Sequence, residues 1–180
     1  MVAGILDSLC LSSLQQWIHD KSPCSLGNVM SFIGCLSSCL KIFKVSVDVV
    51  PYHHITALLY RLSSLEFLEL RFVSGALDPP DILLNLICAS AQSPLFLPCL
   101  QTLEFVCRYS FPFEDLPRIF APGHWQSLRV NIDIRFPFLH DIYRAANLLE
   151  LVHKGFDLSI VGDGEIDLLH KYKEHSMTHN

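Results

Sequence analysis

The chain has 180 residues, of which 51% are hydrophobic, 17% charged and 11% aromatic, a composition that folds around a core and excludes intrinsic disorder. Its 13 Lys and Arg stand against 18 Asp and Glu, a net charge of -5, so no basic field is available to hold nucleic acid or an anionic membrane surface. Both are excluded as expected partners.

Seven cysteines, at positions 10, 24, 35, 39, 88, 99 and 107, are an odd number set mostly in apolar runs. A fully paired disulfide framework is impossible, and they read as buried thiols of an intracellular protein, cytoplasmic or nuclear. Residues 1–11 have no basic region ahead of their apolar residues, and Asp7 interrupts the apolar run, which argues against a secretory signal. Two uncharged stretches, 22–40 and 82–103, are broken by prolines and polar residues and make poor membrane spans.

In chain order, an apolar pattern of the form L-x-x-L-x-L recurs six times. The clearest copies are Leu6-Leu9-Leu11, Leu65-Leu68-Leu70 and Leu100-Leu103-Phe105. Weaker ones are Leu40-Phe43-Val45, Trp125-Leu128-Val130 and Gly155-Leu158-Ile160. Each ends in the alternation of a strand with one buried face, as in Val130, Ile132 and Ile134 against Asn131 and Asp133.

Segments with helical spacing separate them. Asp78 before Pro79 is an N-cap followed by proline, opening a helix with the apolar face Ile82, Leu83, Leu86 and Ile87. A second helix over 138–154 presents Leu139, Ile142, Ala146, Leu149 and Val152 and stops at Gly155. Shorter helices are predicted at 14–18, 53–62 and 113–120. Segment 164–175 is polar enough to cap an array of units, and Gly162 and Gly164 mark a tight strand-to-helix turn.

Strand alternating with helix implies an α/β fold with a parallel sheet. The spacing predicts a leucine-rich-repeat-like partial solenoid of about six units, each about 25 to 35 residues, against roughly 20 to 29 in leucine-rich repeats. It forms one domain over 1–175, read as truncated on its N-terminal side because Leu6-Leu9-Leu11 leaves no room for a cap. A frayed tail occupies 176–180.

Aligning the six copies places Cys10, Lys44, Glu69, Glu104, Arg129 and Ser159 in one row across the sheet. Lys44 then neighbours Glu69, and Glu104 neighbours Arg129, as opposite charges, whereas Glu69 beside Glu104 is a like pair. Such a row lines the exposed face of a repeat sheet, where partners bind. The candidate partner-binding residues are Lys44, Glu69, Arg71, Glu104, Arg129 and Asn131.

Other constellations lead nowhere chemical. His53-His54 and Cys35-x3-Cys39 lack the paired short spacings of a zinc site. No G-x-S-x-G, H-E-x-x-H or P-loop is present, so no catalytic residue, cofactor or metal is predicted. A Cys–His enzyme remains the competing class. The aromatic residues Tyr109, Phe111, Phe113, Phe120, Trp125, Phe136 and Phe138 form either a satellite core or an exposed partner anchor, and the satellite core is the reading adopted.

Residues 148–169, LLELVHKGFDLSIVGDGEIDLL, with LPCLQTLEF at 97–105 and SSLEFLELRF at 63–72, resemble the C-terminal part of the large F-box-like protein family of mushroom-forming fungi. The resemblance runs over most of the chain and is loosest before residue 60. It implies the substrate-recognition repeats of a cullin-type ubiquitin-ligase receptor, in which an F-box binds the adaptor and leucine-rich repeats hold the target. No F-box is visible here. Leu116-Pro117-Arg118-Ile119-Phe120 is similar to the opening of one but leads into a glycine, a tryptophan and a strand. Adaptor binding is therefore not expected, and the implied partner is an unknown protein target. A shortened gene product without function is the other alternative.

Overall fold

The computed structural model describes residues 15–19, 39–47, 52–72, 80–107, 111–121, 123–125, 127–134, 146–162, 166–167 and 169. Six parallel strands make one open sheet in strict chain order: β1 (Gln16–His19), β2 (Ile42–Ser46), β3 (Phe67–Phe72), β4 (Thr102–Cys107), β5 (Arg129–Ile134) and β6 (Asp157–Gly162). A two-residue strand, β7 (Ile166–Asp167), then runs antiparallel along β6. Parallel neighbours need a crossover, and helices supply it: α1 (Tyr52–Leu59) between β2 and β3, α2 (Pro80–Ser90) between β3 and β4, and α4 (Ala146–His153) between β5 and β6. Between β4 and β5 lie a 3-10 turn at Phe113–Asp115, the short helix α3 (Leu116–Ile119) and a second 3-10 turn at Gly123–Trp125. The class is α/β, with α1 packed beside α2 and α2 beside α3.

The core lies on one face of the sheet. Phe43 and Val45, Leu68 and Leu70, Leu103 and Phe105, Val130 and Ile132, and Leu158 and Ile160 are buried in register-matched rows. The helices close over them with Ile55, Leu58 and Leu59, then Leu83, Leu84 and Ile87, then Leu116 and Ile119, then Leu148 and Leu151, in one continuous cluster. Each such side chain contributes about 1.5–3 kcal/mol when fully withdrawn from water, so this face dominates the stability.

A repeated turn delivers the chain into successive strands. The amide of Leu65 donates to the carbonyl of Leu62, that of Leu100 to Leu97, and that of Leu128 to Trp125. Beneath these turns the aromatic residues touch from one unit to the next, Tyr60 against Phe96 at 4.8 Å between centroids and Phe96 against Trp125 at 6.1 Å. Leu97 adopts the left-handed φ of 47° that non-glycine residues avoid, a strain of about 1–2 kcal/mol offset by burying both Phe96 and Leu97. At the end of α4 the left-handed position falls to Gly155, φ 89°, whose amide donates to Val152 while Phe156 reaches back to Leu151, as the sequence led one to expect of a C-cap.

Several sequence expectations are corrected. The helix expected at 14–18 is the strand β1: Leu14 and Ile18 have helical spacing, yet pairing with β2 places Trp17 beside Phe43 and Ile18 beside Lys44. The copy Leu6-Leu9-Leu11 lies outside the described residues. In α2 the buried stripe is rotated, taking Leu84 and Cys88 with Leu83 and Ile87, while Ile82 is exposed and Leu86 half-buried. In α4 Leu148 and Leu151 face the core and Val152 faces water, Leu149 being half-buried. Both helices are so apolar that the 3.6-residue period admits more than one stripe. Gly162 ends β6, which leads to β7 and not directly to a helix. Asp78, Pro79, Leu139 and Ile142 lie outside the described residues.

Candidate functional site

The opposite face of the sheet carries the polar row. Reading across the register, Ile18, Lys44, Glu69, Glu104, Asn131 and Ser159 stand side by side on β1 to β6. Two residues further along the strands come Ser46, Arg71, Val106, Asp133 and Val161, and two residues before them Ile42, Phe67, Thr102, Arg129 and Asp157. All six candidate residues therefore share one face.

The row differs from the expected alignment in two places: Ile18 of β1 neighbours Lys44 where Cys10, outside the described residues, was expected, and Asn131 stands where Arg129 was expected. Arg129 does not neighbour Glu104; Asn131 does, and Arg129 sits between Thr102 and Asp157. The physical reason for the second is a shortened junction: two residues separate Leu65 from Leu68 and Leu100 from Leu103, but only one separates Leu128 from Val130, which is the register partner of Leu103. Aligning Leu128 with Leu103 slips the strand by two residues, and a two-residue slip keeps every side chain on its face, so alternation alone does not expose the error. The Glu104–Arg129 pair is replaced by Arg129 Nε donating to Asp157 Oδ2 at 2.7 Å on the exposed rim, an interaction the sequence reading missed.

Glu69 is the centre of the arrangement. Its side chain is 2% exposed, and each carboxylate oxygen holds one cation: Lys44 Nζ lies 2.6 Å from Oε2, and Arg71 Nε donates to Oε1. Lys44 comes from the next strand and Arg71 from two residues along the same strand, where period two returns a side chain to the same face. Lys44 also stands 5.1 Å above the Phe67 ring. Burial pushes the Glu69 carboxyl up, but the hydrogen bonds and charges of Lys44 and Arg71 outweigh it and hold the group below the usual carboxylate range. The like pair read from the sequence is present as well, because Glu104 is the register partner of Glu69.

The remaining constellations separate cleanly. Phe111, Phe113, Phe120 and Trp125 are buried in the same continuous cluster as the strand and helix core, so this part of the aromatic group is main core, neither an exposed anchor nor a separate satellite; Tyr109, Phe136 and Phe138 lie outside the described residues. His53 and His54 are both exposed on α1. Among the described residues no three His, Cys, Asp or Glu side chains converge as metal ligands, and no helix is long and apolar enough to cross a membrane. Burial pushes the Cys88 thiol up to about 11, and burial together with Asp133 pushes Cys107 up to about 12, the opposite of the lowered value a nucleophilic cysteine needs. A thiol reagent near neutral pH should accordingly label the exposed Cys99 and spare Cys88 and Cys107 until the protein is unfolded, which peptide mapping after brief alkylation will check.

Compared with protein-family models, with curated proteins and with solved structures, the chain matches none.

Proposed function

We propose that this chain is a non-enzymatic protein-interaction module, a leucine-rich-repeat-like partial solenoid that lays the polar face of its sheet against a protein target. The resemblance to the F-box-like family gives that target a further character, a protein marked for ubiquitination. The observation that supports the reading is the row from Lys44 to Ser159. It gathers charged and polar side chains from five parallel strands onto one surface, while the other surface carries the core. A unit length of 25 to 35 residues, read from the register partners Gln16, Ile42, Phe67, Thr102, Arg129 and Asp157, supports the repeat interpretation.

The test is quantitative capture from native cells with the wild-type chain and two charge-reversed variants. Arg129→Glu with Asn131→Arg alters the face; Lys154→Glu alters the exposed end of α4, where Lys154 pairs with Glu150 at 2.7 Å. A specific partner should be lost at least tenfold with the first variant and retained with the second, both variants melting within a few degrees of wild type. Equal retention by both variants overturns the reading.

A further inference from the structure

Glu69 and Glu104 face the same way on adjacent parallel strands, whose backbones run about 4.8 Å apart, so two carboxylates are held side by side. Lys44 and Arg71 take the two oxygens of Glu69. Glu104 has no such partner: among the described residues no cation or hydrogen-bond donor reaches its side chain. The charged groups facing it are Glu69 and Arg71 from β3, Lys44 from β2, and Asp133 and Arg129 from β5. Arg129 is bound by Asp157 on the rim, and among the described residues Asp133 Oδ1 is sealed from solvent and has no hydrogen-bond partner. Three carboxylates thus share two cations, and both cations are committed to Glu69.

We propose that Glu104 is an acid-responsive element of the fold: on mild acidification it takes up one proton, the repulsion between neighbouring carboxylates of β3 and β4 ends, and the domain becomes more stable as its polar face loses one negative charge. The neutral carboxyl gains an O–H donor beside carboxylate acceptors. Burial, the Glu69 charge and the Asp133 charge all hold the Glu104 carboxyl above its ordinary range, and the opposing pull of Lys44 and Arg71 does not offset them. A carboxyl raised on folding binds its proton more tightly in the folded chain. Stability therefore rises as pH falls through the folded value, and the gain is complete near the unfolded value of roughly 4.3. Glu69 has the opposite sign: its contribution is present above roughly 4.3 and is lost as pH falls below it. The combined contribution of these two carboxyls is therefore greatest on the acid side of neutrality, independently of what the face binds.

The experiment pairs a carbon-13 titration of the glutamate carboxyls with thermal unfolding of the full chain and of the near-isosteric Glu104→Gln. The Glu104 resonance is the one missing from that variant. Its midpoint should lie above roughly 4.3 and should fall in Glu69→Gln, which removes the neighbouring charge and releases Lys44 and Arg71. Glu104→Gln should melt about 3 °C higher than wild type near pH 7.5 and lose that advantage near pH 4.5. A Glu104 midpoint at or below the ordinary value, a midpoint indifferent to Glu69→Gln, or a Tm change that is the same at both pH values overturns the proposal.

Discussion

Phe105→Ala should destabilise the protein by about 4 kcal/mol, the largest effect expected of any substitution discussed here. Phe105 is 1% exposed on β4, with Leu70 and Ile132 as its register partners and the Phe111 ring 5.0 Å away. Truncation removes a ring from a site whose walls are two strands fixed by backbone hydrogen bonds, so the surroundings have little freedom to collapse into the void. For a chain of this length such a loss lowers Tm by roughly 8–16 °C. Urea unfolding should show the midpoint moving while the slope holds, because the surface exposed on unfolding barely changes. Leu95→Ala provides the contrast. Leu95 is 76% exposed, and its truncation should fall within about 0.5 kcal/mol of wild type. Similar losses at the two positions would mean that the core does not lie on the side of the sheet described above.

The second large effect concerns Glu69. Replacing Lys44 and Arg71 together by methionine leaves a carboxylate with 2% side-chain exposure and no cation. The expected cost is about 3 kcal/mol, the low end of what is found when a buried pair loses one side, because both cations retain some contact with water. Each single substitution should cost much less, since the other cation still holds one carboxylate oxygen. Adding Glu69→Leu to the double variant should restore most of the stability, because an apolar side chain in the same place has no charge to desolvate. The sign of the pH dependence also reverses. With both cations gone, burial and the neighbouring Glu104 charge both act to raise Glu69, so the double variant should gain stability as pH falls toward roughly 4.3. Chemical denaturation of the four proteins near pH 7 and near pH 5 checks the whole series; a triple variant no more stable than the double would show that the loss came from packing of the Lys44 and Arg71 stems instead of from charge.

How much of this was readable in advance depended on which residues broke the ambiguity of the pattern. For β2, β3, β4 and β6 the spaced triplets Leu40-Phe43-Val45, Leu65-Leu68-Leu70, Leu100-Leu103-Phe105 and Gly155-Leu158-Ile160 fall in mutual register, and the Lys44–Glu69 pair followed from them directly. In β5, Leu128, Val130, Ile132 and Ile134 alternate so regularly that a slip of two costs nothing in pattern, and only the turn hydrogen bond from Leu128 to Trp125 reveals the missing residue. The strand β1 was hidden by its own chemistry. Gln15 and Gln16 are polar and His19 stands where its partner strand has Val45, so a helical reading of Leu14 and Ile18 competed successfully. The Arg71 half of the Glu69 arrangement was legible as a shared face but not as a pair, because period two brings two side chains near each other without saying that they bond. The Arg129–Asp157 bridge depended on register and was lost with it.

Strand order that follows chain order also bears on how the protein is made. No described strand has to slip between two earlier ones, and each of β2 to β6 meets a neighbour synthesised 25 to 35 residues before it. A ribosome adding roughly 5–20 residues per second delivers successive strands a few seconds apart, whereas local structure forms on a scale of about microseconds. The sheet can therefore be assembled during translation one strand at a time, with each newest strand forming the growing edge. When β6 has been laid down, the antiparallel β7 turns back along part of that edge within a few residues, shortening the interval in which the growing sheet offers Val161 and Gly162 to another nascent chain.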